Sequence, residues 1–85
     1  MTKSELIDNI IFNLNLTNLS DKRLVESIVD DIFNILAKKI INDGKVLISS
    51  FGSFHIVFFK NLPCVAFLQS SRFTQLLKNH LEKQS

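Results

Sequence analysis

The amino-acid sequence predicts an α+β domain: two N-terminal helices, a three-stranded antiparallel sheet and a C-terminal helix. Three observations point there. Apolar residues recur at helical spacing through the first half of the chain. From Lys45 to Leu68 the pattern changes to short β-branched and aromatic runs, broken by glycine, asparagine and proline. After Ser70 the helical spacing returns.

The first helix is predicted over residues 2–14. Thr2-Lys3-Ser4-Glu5 fits a capping box, with the Thr2 hydroxyl accepting from the Glu5 amide. Leu6, Ile7, Ile10, Ile11 and Leu14 form one apolar stripe, and Asp8, Asn9 and Asn13 lie off it. Residues 15–19 read as a connector rich in side chains that compete with helix. Leu16 and Leu19 are expected to pin it to the core. Ser20 is the expected N-cap of the second helix, which runs to about Asn42, with Gly44 as its C′ residue and Lys38 and Lys39 near the negative end of the dipole. Two apolar ladders step by four along this helix. One is Leu24, Ile28, Ile32, Leu36 and Ile40; the other is Val25, Val29, Phe33, Ala37 and Ile41. Together they wind into a surface broader than the first helix covers, so a partner subunit is expected against it.

Residues 45–48 and 55–59 read as the first two strands. Between them lies Ile48-Ser49-Ser50-Phe51-Gly52-Ser53-Phe54, where two aromatic rings bracket a glycine. A glycine in this setting marks a bend or a close backbone approach. Residues 60–63 are the expected hairpin turn, with Pro63 a turn residue, and 64–68 the third strand. Phe58 and Phe59 are adjacent and so point to opposite faces, one to the core and the other to a dimer contact or to solvent. Ser70 or Ser71 caps the last helix, whose apolar face is Phe73, Leu76, Leu77 and Leu81. Residues 83–85 are expected to fray.

Eighty-five residues make one domain, taken as residues 1–85. The chain is 46% hydrophobic with a mean hydropathy of +0.20, too apolar for a disordered tail. A chain this short buries only about 60–65% of its unfolded surface. Core burial less ordering entropy then comes out near zero, and association is the usual remedy. The single Cys64 excludes an intrachain disulfide and is consistent with a reducing cytoplasm. No apolar run approaches the roughly 20 residues of a membrane span, and the opening is too polar for a secretory segment. His55, His80 and Cys64 show no metal-ligand spacing, so no metal or other cofactor is expected. Neither histidine stands in a recognisable motif with a serine or cysteine nucleophile. There is no phosphate loop or catalytic carboxylate pair, so an enzyme acting on a small-molecule substrate is not expected. A net charge of +2 permits nucleic-acid binding without arguing for it.

The Phe51-Gly52-Ser53-Phe54 core, preceded by a short apolar strand and a long helix, resembles the bacterial histone-like HU and integration host factor family. The opening Met1-Thr2-Lys3-Ser4-Glu5-Leu6-Ile7 is similar to that family's amino terminus, most of all to the beta chain of integration host factor. Val65-Ala66-Phe67 followed by a helix resembles its third strand and last helix. The resemblance implies an intertwined dimer. The strands would form a platform, the helices its base, and the phenylalanines of both chains a shared core. The interface residues it implies are Ile32, Phe33, Leu36, Leu47, Phe51, Phe54, Ile56, Phe58 and Phe67. In the family each chain also projects a basic, proline-tipped arm that wedges the minor groove and kinks the duplex. Here twelve residues separate Phe54 from Phe67, with Lys60 the one lysine and no Arg-Asn-Pro tip. The arm is absent, and its kinking is not carried over.

The resemblance places the starts of the first and last helices beside DNA phosphates, where unpaired amides and the positive dipole end suit an anion. The matching residues are Thr2, Lys3 and Ser4, and Ser70, Ser71 and Arg72. Ser49 stands at the family's minor-groove position, with Ser50 where the family usually has glycine. Ser70 and Ser71 stand where it commonly has Gly-Lys, so that charge is lost or displaced to Arg72. Ser53 joins this platform set, and Lys45, Lys60 and Lys78 add diffuse attraction. The phenylalanines read as packing residues rather than base-stacking platforms. The expected function is therefore weak, largely non-specific, salt-sensitive binding of duplex backbone by a cytoplasmic, nucleoid-associated homodimer, or heterodimer with another chain of the family. The alternative is a protein-interaction module that keeps the dimer fold and pairs with an armed relative. No membrane partner is expected.

Overall fold

The computed structural model describes residues 1–84 of the chain. Among them the elements run in the order α1 (Lys3–Asn13), α2 (Leu19–Asp43), β1 (Lys45–Ile48), β2 (Gly52–Phe59), β3 (Leu62–Gln69) and α3 (Ser71–Gln84). This is the predicted order and class. The chain divides into two compact units, one of Met1–Ile35 and one beginning at Leu36.

In the first unit, α1 starts as its capping box requires: the Glu5 amide donates to Thr2 Oγ1 at 3.1 Å. It ends in a Schellman motif. Asn15 takes the left-handed conformation at φ 56°. The amide of Leu16 then reaches back to the Ile11 carbonyl, and that of Asn15 to the Phe12 carbonyl. Leu16 packs with Leu6, Ile10 and Ile11 around Ile7, Val25 and Val29. These last three are the buried hydrophobic residues among those described. Leu19 does not join them and is exposed. The cap of α2 is Asn18, not Ser20. Asn18 Oδ1 accepts from the Asp21 amide at 2.9 Å and from the Ser20 hydroxyl at 2.8 Å. Asn18 competes successfully because its side chain reaches the third amide of a helix that begins one residue before Ser20.

In the second unit, α2 closes on Gly44 at φ 75°, whose amide donates to the Ile40 carbonyl at 2.8 Å. The last turn holds no basic residue, so Lys38 and Lys39 fall short of it. The sheet is antiparallel in the order β1-β2-β3, so β1 and β3 are its edges. A turn joins β1 to β2, with the Phe51 amide on the Ile48 carbonyl at 3.1 Å and Ser50 at φ 67°. β2 begins earlier than its composition suggests, at Gly52 rather than His55. Gly52 must be glycine because a Cβ there would lie 2.5 Å from the Leu68 carbonyl oxygen and 2.6 Å from the Phe67 ring. Only a bare backbone fits so close to the neighbouring strand.

The β2–β3 turn is two residues long, Lys60 and Asn61, both with positive φ (49° and 65°). That is the turn whose twist suits a hairpin. Pro63 is therefore a strand residue, paired with Phe58, and not part of the turn. Flanking residues Phe59 and Leu62 form the hydrogen-bonded pair, so the next position needs no ladder donor and tolerates proline on an edge strand. Ser70 caps α3, its Oγ accepting from the Phe73 amide at 3.0 Å. The helix runs to Gln84, so residues 83 and 84 lie within it; Ser85 lies outside the described residues.

Candidate nucleic-acid interface

The register sorts the sheet into two faces. Phe54 pairs with Val46 and Phe67, Ile56 with Val65, and Phe58 with Pro63. Side chains alternate along a strand, so these residues share one face. Phe51, Phe54, Phe67 and Phe73 gather there, with ring centroids 5.1 Å apart for Phe51–Phe67 and Phe54–Phe67 and 5.3 Å for Phe51–Phe73. Phe73 joins them without having been expected at the interface; its signal was its place on the apolar stripe of the last helix. Of the expected interface residues in this unit, Phe51, Phe54, Ile56, Phe58 and Phe67 belong to this face or its rim. Leu47 does not. It pairs with Ser53 and points the other way. Leu36 is half-buried, while Ile32 and Phe33, in the first unit, are exposed.

The candidate phosphate contacts fall into separate groups. The first is the start of α1. Lys3 Nζ lies 2.7 Å from Asp30 Oδ1, and this hydrogen bond, with the carboxylate's charge, raises the Lys3 ammonium above the ordinary lysine range. Beside Thr2 and Ser4 opens a cleft of about 260 Å³ bearing Lys3 and Lys22 against Asp8, Glu26 and Asp30. Three carboxylates facing two ammoniums make this helix start a poor attractor of phosphate.

The second group is better arranged. The Ser70 amide donates to the Phe51 carbonyl at 3.0 Å, which ties the start of α3 to the Ser49–Ser50 turn. The Ser70 hydroxyl serves as the cap and its amide is spent on Phe51, leaving the amides of Ser71 and Arg72 as the unpaired donors of the helix start. The first turn of α3 holds no acidic residue. Exposed Ser49, Ser71 and Arg72 thus lie about one helix start whose dipole, amides and guanidinium all favour an anion.

The remaining residues are scattered. Lys60, at the hairpin turn, is roughly 23 Å along β2 from Ser53. Its Nζ stands 5.5 Å from the Phe59 ring centroid, a cation–π contact. Lys78 is exposed on α3. Lys45 lies opposite His55 on the face away from the phenylalanines. Ser53 is engaged there: its Oγ and His55 Nε2 are 2.7 Å apart. This pair was legible as an i, i+2 spacing on one strand and was missed. Among the described residues no cluster of metal-ligating side chains occurs, and no helix is long and apolar enough to cross a membrane.

A family model described as bacterial DNA-binding protein matches residues 1–61. The fold is similar to a solved structure of a mutant HU from Thermotoga maritima. The TM-score is 0.72 at 25% sequence identity, over 91% of this chain and 99% of that one. No curated protein matches the chain. A family match over most of the chain, on a fold that superimposes on HU, is the conclusion to which the phenylalanine turn and the helix starts lead: the chain belongs to the HU family of bacterial DNA-binding histone-like proteins, and is not an enzyme.

Proposed function

We propose that this protein binds duplex DNA through its backbone, weakly and with little sequence preference, as a dimer and without kinking the duplex. The observation that carries the reading is the two-residue Lys60–Asn61 turn in a chain of the HU family. The hairpin closes where the family's resemblance calls for a long basic arm, so the minor-groove wedge has no counterpart. Contact then rests on the α3 start and the Ser49 turn, with Ser71 and Arg72 as the main donors. Lys45, Lys60 and Lys78 supply diffuse attraction. Thr2, Lys3 and Ser4 contribute little while Asp30 holds Lys3.

The dimer reading is supported by how little the chain buries alone. Ile32 and Phe33 on α2, and Phe51, Phe58 and Phe67 on or beside the sheet, all remain exposed. A second copy covering the phenylalanine face would complete both the core and the single family domain of residues 1–85. A bacterial nucleoid location follows from the family. Pairing with an armed relative is the second reading, favoured by the same exposed face, which need not distinguish its own copy from a related chain.

Fluorescence anisotropy of a short labelled duplex, titrated at several salt concentrations, tests the proposal. Log affinity should fall linearly with log salt, with a shallow slope of roughly 0.9 per phosphate neutralised. Arg72→Ala should reduce that slope by about one contact. Energy transfer between dyes on the duplex ends should not change on binding. Flat anisotropy down to low ionic strength would defeat the DNA reading and leave the interaction module.

A further inference from the structure

On the face of the sheet turned away from the phenylalanines, the register sets Lys45 of β1 across from His55 of β2, with Ser53 two residues along the same strand. The Ile56 amide donates to the Gly44 carbonyl at 3.1 Å, so the pair beside it, Lys45 and His55, has no ladder hydrogen bonds of its own. Side chains stand closest in such pairs. Ser53 Oγ lies 2.7 Å from His55 Nε2. The imidazole and the hydroxyl are half-buried, and Lys45 is exposed. Few groups face the imidazole. β1 supplies Lys45. β3 sets Ala66 opposite it, with the Cys64 thiol two residues on. β2 itself carries Ser53 and, at the turn, Lys60. No carboxylate occurs between residues 45 and 69; the last before them is Asp43, at the end of α2. An imidazolium here has a cation beside it and no anion of the three strands to pair with.

We propose that Lys45, Ser53 and His55 form one seat for a DNA phosphate, and that the seat fills by taking up a proton on His55. The inference rests on the duplex-binding reading above, in which Lys45 already attracts the duplex; His55 and the proton are what it adds. Histidine is the side chain that ordinarily changes charge between about pH 5 and 8. An ammonium and an imidazolium side by side repel, and a phosphate between them attracts both. The Ser53 hydroxyl changes role with the ring. While Nε2 is unprotonated, it accepts the Ser53 proton. Once a proton from solvent occupies Nε2, that N–H donates to Ser53 Oγ, and the hydroxyl turns its own proton to the phosphate. Protonation thus adds one charge and one donor at the same spot. Binding and protonation favour each other, so affinity must rise as pH falls through the histidine range, and the gain must be lost as pH rises through it. Arg72 at the α3 start keeps its charge throughout, so weaker binding persists at the higher pH.

Anisotropy of a short labelled duplex, titrated with the full chain at about pH 7.5 and about pH 5.5, tests the seat. Affinity should be about fivefold higher at the lower pH, and the salt slope steeper by about 0.9, one further phosphate. His55→Gln keeps a polar side chain without the charge. It should bind at both pH values with the affinity and slope that the wild type shows at the higher one. Ser53→Ala should keep the steeper slope and lose part of the gain. His80→Gln should keep all of it. In His80→Gln the one imidazole left is His55, and its ring signals in proton NMR should titrate at higher pH with the duplex than without. An unmoved midpoint there would overturn the proposal whether or not His55→Gln folds. So would a wild-type affinity that ignores pH, or a gain that survives His55→Gln, and either would leave the duplex-binding reading standing. Absence of binding at both pH values, down to low salt, would overturn that reading and the seat with it.

Discussion

The helical unit and the sheet unit close their cores to different degrees, and the difference is what the proposed dimer would make good. In the first, Ile7, Val25 and Val29 are buried within one chain, and the Schellman turn at Asn15 folds Leu16 back onto them. In the second, four phenylalanine rings touch one another, yet Phe51 and Phe67 remain about two-fifths exposed. A cluster that is tightly paired and still open is one side of a core. Packing within the chain has set the geometry of its rings; removal from water is left to a partner.

The largest expected effect lies in the sheet. Phe54→Ala should cost about 3–5 kcal/mol in the dimer, through lost transfer energy and a cavity. Folding and association should weaken together, so its thermal midpoint should depend steeply on protein concentration. An unchanged midpoint would remove Phe54 from any shared core. Gly52→Ala comes next, at about 2–3 kcal/mol, because its Cβ meets the Leu68 carbonyl and the backbone must move. Chemical denaturation measures it, and a loss below about 0.5 kcal/mol would mean the strands spread freely. Val29→Ala, in the closed helical core, should cost about 1–2 kcal/mol. Amide exchange sharpens the contrast. On dilution of the wild type, protection should fall first across the β2–β3 ladder and later in α1 and the first half of α2. The reverse order would break the comparison.

The start of α1 and the start of α3 differ in the same instructive way. Both are capped by a hydroxyl that accepts from the amide three residues on. From the sequence they read as equivalent phosphate sites. Only the fold brings Asp30, twenty-seven residues away, onto Lys3, and nothing in the spacing of α1 foretells it. Among the described residues no such ion pair forms at the α3 start, whose first turn holds no acidic residue, and this is what supports Arg72 as the proposed phosphate contact.

Much of this protein was legible in the chain itself. The element order, the Thr2 and Ser70 caps, the Gly44 stop and the close approach at Gly52 all follow from signals that act over a few residues. A capping hydroxyl, a left-handed glycine or a 3.6-residue stripe contributes its energy locally, whatever the rest of the molecule does. The faces were not legible. Whether Leu47 joins Phe54 or opposes it depends on register, and register depends on the length of two turns. Reading Pro63 as a turn residue lengthened the hairpin loop and hid the pairing of Phe58 with it. Choosing Ser20 over Asn18 shifted a cap by two residues, because both side chains suit the role and only the helix geometry selects between them. Composition showed that the chain is too apolar to stand alone. Only the tertiary structure could show that its sheet sets the phenylalanines on one side and Lys45, Ser53 and His55 on the other, because strand register, not sequence spacing, assigns each residue of one strand a face shared with the next.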